Sequence, residues 1–312
     1  MRGLIAGRLK TLTCRHDPID RDRLWIYCKG CPFTSDCPYG STFEPDPLEN
    51  VTVFVGQEDT VRPCVIDPHF PAPRFAETGS LYTLRVLFIG EKAAAYSGDF
   101  WQAARQAGAD PDAGLGRDGI CFEILERPAT DRWHEVELPL SCESHAPRFP
   151  DVEVRLTTPL FLRHQDHAGR RYMIHCPSFS DLFRAALRSL GRLYAIYDYP
   201  LDADFAGLKA AADQVSFGYA DFHPFQQVKT STRSEQRGLL HGVLGRAVFR
   251  DVPEPLVTWM HWAGRLHVGL HRVAGAGGWI VRTLAEPPIT QQRVRQKIHR
   301  PRRRPHYRHR LH

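Results

Sequence analysis

Apolar positions along the chain switch between helical and strand spacing. Leu4, Ile5, Leu9 and Leu12 share one helical face, so Arg2 to Thr13 is predicted to be a helix. A cysteine loop and an extended, Pro-rich region from Phe43 to Pro73 follow. In Ser80 to Gly90, Leu81, Leu84, Val86 and Phe88 supply the alternation of a strand. Ala93 to Ala107 reads as a helix ending at Gly108. The turn Gly114-Leu115-Gly116 then leads into a strand from Gly119 to Leu125. Residues 127–150, rich in Pro, Ser, Glu and His, form a boundary, after which the alternation restarts at Val152 to Leu156. Phe179, Leu182, Phe183, Ala186, Leu187 and Leu190 line one face of a helix from Ser178 to Ile196. A helix from Phe205 to Val215 and strands at Phe225 to Thr232 and Gly242 to Phe249 come next. The last elements are a helix from Glu254 to His267, a glycine-rich loop from Gly269 to Gly278, and a strand from Trp279 to Thr283.

Two successive units of helices and short strands predict an α+β chain, read as tandem ferredoxin-like, RRM-like domains with an N-terminal cysteine-rich insertion. The expected divisions are 1–147, 148–290 and a basic, disordered tail at 291–312. The chain has 312 residues, 42% of them apolar and 24% charged, which excludes a disordered chain, a fibre or a coiled-coil rod. Apolar runs such as Val86 to Gly90 fall far short of the ~18 residues that cross a bilayer. The N-terminus lacks the pattern of a secretory signal. The expectation is a cytoplasmic protein with no membrane partner.

Nine of the 41 Lys and Arg residues lie in 291–312 with no acid among them, which leaves the remaining body slightly acidic. Such a tail can condense on phosphates, or serve only as a solubilising end. Of the eight cysteines, Cys64, Cys121, Cys142 and Cys176 stand alone, unlike a disulfide framework. The other four, Cys14, Cys28, Cys31 and Cys37, have a spacing that can close a structural zinc or iron–sulfur site, or serve as reduced structural thiols. In the loop HVGLHRVAGAGGW, Gly269, Gly275, Gly277 and Gly278 can let backbone N–H groups approach a phosphate. Lys229, Arg233, Arg237, Arg246, Arg265, His267, His271 and Arg272 surround it in sequence. Arginine can bridge phosphates and stack on bases, so this group predicts RNA binding, with a solvated surface as the bland alternative for each member.

At this point the sequence resembles the CRISPR-associated endoribonucleases that cut precursor CRISPR RNA, the sixth Cas family of the RAMP superfamily, in its cysteine-containing subgroup. MRGLIAGRLKTLTC is similar to that group's opening helix, and CKGCPFTSDCPYGSTFE to its cysteine segment. RPCVIDP, YTLRVLFIGEKAAAY with GLGRDGICFEIL, TPLFLR, SFSDLFRAALRSLGRLY and the glycine-rich region follow in the family's order. Within the glycine loop, Leu270 and Ala274 stand where relatives usually carry Lys and Phe. Relatives also have a strand ahead of the first helix.

The resemblance implies metal-independent cleavage in a repeat hairpin, with no cofactor for catalysis. The ribose 2′-OH attacks the adjacent phosphate, leaving a 2′,3′-cyclic phosphate and a 5′-OH. That reaction needs a base, an acid and positive charge on the phosphorane. Histidine suits the first two tasks because it titrates near neutrality. By position, His16 is the first catalytic candidate and Tyr39 the second. His223, His241, His267 and His271 lie nearer the glycine loop in sequence. Implied partners are CRISPR repeat RNA or crRNA and other Cas effector subunits. A non-catalytic RAMP subunit that holds crRNA is the alternative. An iron–sulfur DNA nuclease, suggested by Cys-x2-Cys-Pro-x4-Cys, lacks its carboxylate-rich site here.

Overall fold

The computed structural model describes residues 2–15, 28, 30–45, 61–68, 77–111, 114–115, 119–125, 136–142, 149, 151–165, 168–197, 201–230 and 237–284. The first half contains α1 (Arg2–Thr13), α2 (Pro38–Phe43), β1 (Cys64–Asp67), β2 (Arg85–Phe88), α3 (Glu91–Ala95) and α4 (Ser97–Ala109). The second holds β3 (Asp151–Leu156), β4 (Arg163–Gln165), β5 (Arg171–Met173), α5 (Phe179–Ala195) and α6 (Phe205–Asp213). It ends with β6 (Ser216–Thr230), β7 (Arg237–Arg250), α7 (Glu254–Leu266) and β8 (Trp279–Leu284). Among the described residues, no helix is long and apolar enough to cross a membrane.

In the second half, β3 buries Val152, Val154 and Leu156 and turns Asp151, Glu153 and Arg155 to the other face. It pairs antiparallel with β7 on one side and β8 on the other, giving the sheet order β6-β7-β3-β8. Strand, helix, two hairpin strands, helix and strand in that spatial order are the ferredoxin-like arrangement. Helix α5 opens on a capping box: the Asp181 amide donates to Ser178 Oγ (3.1 Å) and the Ser178 amide to Asp181 Oδ2 (2.9 Å). A cap of this kind contributes about 1 kcal/mol. The predicted apolar face of α5 is the buried one, and Phe183 meets Trp259 of α7 edge to face at 6.2 Å. The Trp259 indole donates to the Pro139 carbonyl at 2.8 Å, drawing residues 136–142 onto this core.

The first half has a core of its own. Ile5 and Leu9 of α1 pack with Phe100, Ala103 and Ala104 of α4, and Arg8 pairs with Asp110 at the end of α4. Between these helices, β1 and β2 form a two-stranded antiparallel sheet, Cys64 opposite Phe88. This half is thus an α+β unit of helices around a short antiparallel sheet.

Several expectations shift. Among the described residues, Gly119–Leu125 makes no ladder: the bridge of Leu115 with Ile120 and the Phe122 amide giving to Gly108 O at 2.9 Å hold it. Ile120 and Leu125 are exposed, so no described strand covers their side chains. The helix expected at Ala93–Ala107 divides at Tyr96, just before Ser97-Gly98, residues of low helix propensity. Strand β1 escaped notice because all four of its residues are buried, leaving no alternation to read. Strands β6 and β7 run well beyond the expected spans. Gly218, Pro224 and the polar tip obscured them, and Pro224 is tolerated because β6 is an edge strand.

Candidate nucleic-acid interface

The glycine-rich loop is built differently from a phosphate cradle. Helix α7 ends at His267, which has φ 58°, and the chain then turns through Gly269 (φ 80°), His271 (φ 62°), Gly275 (φ 81°) and Gly277 (φ 80°). Repeated left-handed backbone is what the glycines make possible. Most of the amides are already donated inside the protein. Val268 gives to Gly277 O (3.0 Å), Leu270 to Phe161 O (3.0 Å), Gly275 to Arg272 O (2.9 Å) and Gly277 to Pro159 O (2.9 Å). The Gly278 amide gives to Thr158 Oγ1 at 2.8 Å. The amides of Ala274 and Ala276 both give to His271 O.

The loop's side chains join the two halves. Val273 lies in the first core, among Ile5, Phe43 and Ile66. A Cβ on Gly275 would lie 2.8 Å from the Ile66 carbonyl oxygen of β1. The Arg272 guanidinium is buried, donates to Leu266 O at 3.0 Å, and gives a second bond to Arg62 O. Burial pushes it down to about 10, with Cys64 opposing that shift. Nearby, burial pushes the Cys64 thiol up to about 12 and the Tyr197 hydroxyl, which donates to Ile89 O, up to about 12. Arg272 and His267 were expected on an RNA-facing surface. The structure brings both inside, which sequence pattern does not signal because a basic residue in a glycine loop usually reads as exposed.

His267 Nδ1 lies 3.2 Å from Ala276 O, within hydrogen-bond distance, so its N–H donates to that carbonyl. Burial holds its pKa below the ordinary histidine value, with repulsion from Arg272 and Arg85 adding to this and Asp67 opposing. The unfolded chain therefore takes up the proton first as pH falls. Stability from the neutral ring is complete above about 6.5 and declines below it, toward the depressed folded value. His267→Asn is expected to flatten the decline in urea midpoint measured below about pH 6.5.

One group of arginines faces outward on the sheet surface away from α5 and α7. Register places Arg155 opposite Arg246, Glu153 opposite Arg282, and Asp151 opposite Arg250 on that face. All four arginines are exposed. Arg246 reaches Glu153 at 3.4 Å and lies over the Tyr219 ring at 6.0 Å. Of these, only Arg246 was singled out from sequence. Arg155, Arg250 and Arg282 were missed, although the alternation of Val152, Val154 and Leu156 already implied that Arg155 points away from the core. Like charges directly opposite across a ladder repel, so the Arg155–Arg246 pair favours a bound anion.

The remaining candidates scatter. Arg265 is exposed and stacks on Trp262 at 5.5 Å. Lys229 and Arg237 lie at the far end of the β6–β7 hairpin, paired with Gly238 and Thr230; Arg233 lies outside the described residues. Beside them Val228 and Leu239 face each other, 63% and 51% exposed. His241 meets Gln226 at 3.4 Å, His223 meets Asp221 at 3.3 Å, and the His271 ring packs edge-on against Phe161.

His16 also lies outside the described residues, three positions past the end of α1. Tyr39 is buried on α2, donates its hydroxyl to Glu44 Oε1 at 2.9 Å, and has Lys10 Nζ over its ring at 4.9 Å. All eight cysteines are free thiols. Cys28 and Cys31 form the expected tight turn, the Cys31 amide giving to Cys28 O at 3.0 Å. Cys37 Sγ caps α2 by accepting from the Gly40 amide at 3.4 Å, and the Cys14 amide prolongs α1 by giving to Lys10 O at 2.9 Å. Burial pushes the Cys28 thiol up to about 12, with Lys10 opposing. Among the described residues, no three His, Cys, Asp or Glu side chains gather closely enough to hold a metal ion, so this arrangement does not fit the metal site that the spacing suggested.

Fold and site together define a ferredoxin-like α+β protein with an arginine-bearing open sheet. Residues 154–279 match the family model of the CRISPR-associated endoribonuclease Cas6, and residues 1–143 match a model described as an N-terminal domain. Over residues 154–279 the chain is therefore similar to the Cas6 family of CRISPR-associated endoribonucleases. Among solved structures, a Cas6 product complex is 16% identical, with 90% of this chain and 91% of that chain covered and a TM-score of 0.51. That likeness speaks for the fold. Thermus thermophilus Cas6 is 14% identical over 70% of this chain and 79% of its own, with a TM-score of 0.41. A further Cas6 product complex is 16% identical over 71% and 82%, with a TM-score of 0.39. No curated protein sequence matches the chain.

Proposed function

We propose that the protein binds a CRISPR repeat hairpin in the cytoplasm and cleaves it without a catalytic metal, giving 2′,3′-cyclic phosphate and 5′-OH ends. The observation that carries RNA binding is the open face of the ferredoxin-like sheet, where Arg155, Arg246, Arg250 and Arg282 are presented together. Arginine forks suit phosphate oxygens, and Tyr219 offers a ring for a base. The match of residues 154–279 to the Cas6 endoribonuclease model supports the cleavage. A base withdraws the proton from the 2′-OH, the 2′-oxygen bonds to phosphorus, and the bond to the 5′-oxygen breaks as an acid returns a proton to it. We assign the first proton transfer to His16. Tyr39, with its hydroxyl on Glu44 and Lys10 over its ring, fits a role in holding the first core. The four N-terminal cysteines fit structural thiols, and other Cas effector subunits fit as partners that receive the bound product.

The test is incubation with EDTA of a labelled repeat RNA and of the same RNA with a 2′-deoxy scissile nucleotide. The ribose form is expected to be cut and the deoxy form to remain whole. Cutting of both forms would end the 2′-OH mechanism. Tight binding without cutting of either would favour the non-catalytic RAMP subunit.

A further inference from the structure

A second exposed feature lies outside the sheet face. Strands β4 and β5 form a short antiparallel ribbon, with Arg163 opposite Met173, His164 opposite Tyr172 and Gln165 opposite Arg171. Every residue of β4, together with Arg171 and Tyr172, is exposed. Residues 163–175 contain three arginines, three histidines and a single acid, Asp166. A two-stranded ribbon that buries almost nothing is marginal by itself. Its base supplies the anchor: the Ile174 amide gives to Leu162 O at 3.0 Å, and Leu160 bridges to Val243 of β7. Phe161 then meets Phe225 of β6 at 6.3 Å. The ribbon therefore rises from the corner shared by the glycine loop and the β6–β7 hairpin.

The two faces of the ribbon differ. His164 and Tyr172 lie on one, their ring centres 5.2 Å apart, with Tyr172 51% exposed. Alternation puts Arg163, Gln165 and Arg171 on the other. Neither Arg163 nor Arg171 has a carboxylate partner among the described residues. An exposed ring pair backed by exposed guanidinium groups matches unpaired nucleotides, which offer a stacking face and a phosphate at each step. A duplex stem keeps its bases stacked and offers no such face. We infer that the β4–β5 ribbon is a docking arm for single-stranded RNA flanking the repeat stem. The inference rests on the proposed RNA-binding function and names a separate part of its substrate.

Its test uses the full chain and two labelled RNAs, a repeat hairpin with single-stranded flanks and the same stem with blunt ends. His164→Ala/Tyr172→Ala is expected to weaken binding of the flanked RNA about tenfold and to leave the blunt stem unchanged. Arg163→Ala/Arg171→Ala is expected to reduce the slope of log affinity against log salt by about 1.4 for the flanked RNA. All four residues are exposed, so thermal melting of both variants is expected to match the wild type. Flanked-RNA binding equal to wild type in both variants would overturn the inference and leave the ribbon to a protein partner. Equal losses on both RNAs would overturn its single-strand assignment. Failure of the wild type to bind either RNA would instead overturn the proposed function, and this inference with it.

Discussion

Replacing His16 with alanine is expected to slow single-turnover cleavage of a CRISPR repeat RNA by about 10²–10⁴-fold, the usual contribution of a positioned acid or base. The dissociation constant is expected to stay within about twofold of wild type, because the contacts that hold RNA are assigned to arginines in the other half of the chain. Helix α1 ends at Thr13, and the Cys14 amide carries its bonding one step further to Lys10 O at 2.9 Å. That helix is fixed by Ile5 and Leu9 in the first core and by the Arg8–Asp110 pair. His16 follows that helix in sequence, and histidine titrates near neutrality, which suits the proposed proton transfer. The measurement is a rate at saturating enzyme with EDTA present, paired with a binding titration of 2′-deoxy RNA. An unchanged rate would remove His16 from the mechanism. A loss of rate with an equal loss of affinity would make it a binding residue.

The helices were the most legible part of the fold. The face of α5 could be read residue by residue because helical spacing separates buried Leu182, Phe183 and Leu190 from exposed Arg184 and Arg188. Strand β3 was legible for the same reason, since one of its faces meets solvent. Strand β1 was not, because burial on both faces removes the alternation on which the reading depends. The candidate site suffered from a different difficulty. Positive residues clustered in sequence around the glycine loop, but folding sends them to different places: Arg272 and His267 inward, Arg265 onto Trp262, and Arg246 to the sheet face. The arginines gathered with Arg246 come from residues 155, 250 and 282, which only the sheet register brings together. Short-range sequence pattern cannot show that juxtaposition; knowing the order of strands would.

Gly277→Ala is expected to destabilise the protein by about 4 kcal/mol or more, with the effect appearing in folding before RNA binding. Gly277 has φ 80°, which costs an L-residue about 1–3 kcal/mol by itself. Its added Cβ would also overlap the Val268 carbonyl oxygen. Val268 cannot move aside freely, because its amide gives to Gly277 O at 3.0 Å while the Gly277 amide gives to Pro159 O at 2.9 Å. Overpacking of a backbone crossing locked on both sides belongs among the rare large effects of single substitutions. Gly238 provides the contrast, since a Cβ there meets nothing within 4 Å, and Gly238→Ala is expected to shift stability by no more than about 0.5 kcal/mol. Urea unfolding of both variants, followed by RNA titration corrected for the folded fraction, separates packing from recognition. A Gly277→Ala protein as stable as wild type but weakened toward RNA would restore the glycine loop as a phosphate cradle. A destabilised protein whose folded fraction binds normally would leave the loop as the bolt between the two halves, since the amides of Gly275, Gly277 and Gly278 are already spent within the protein.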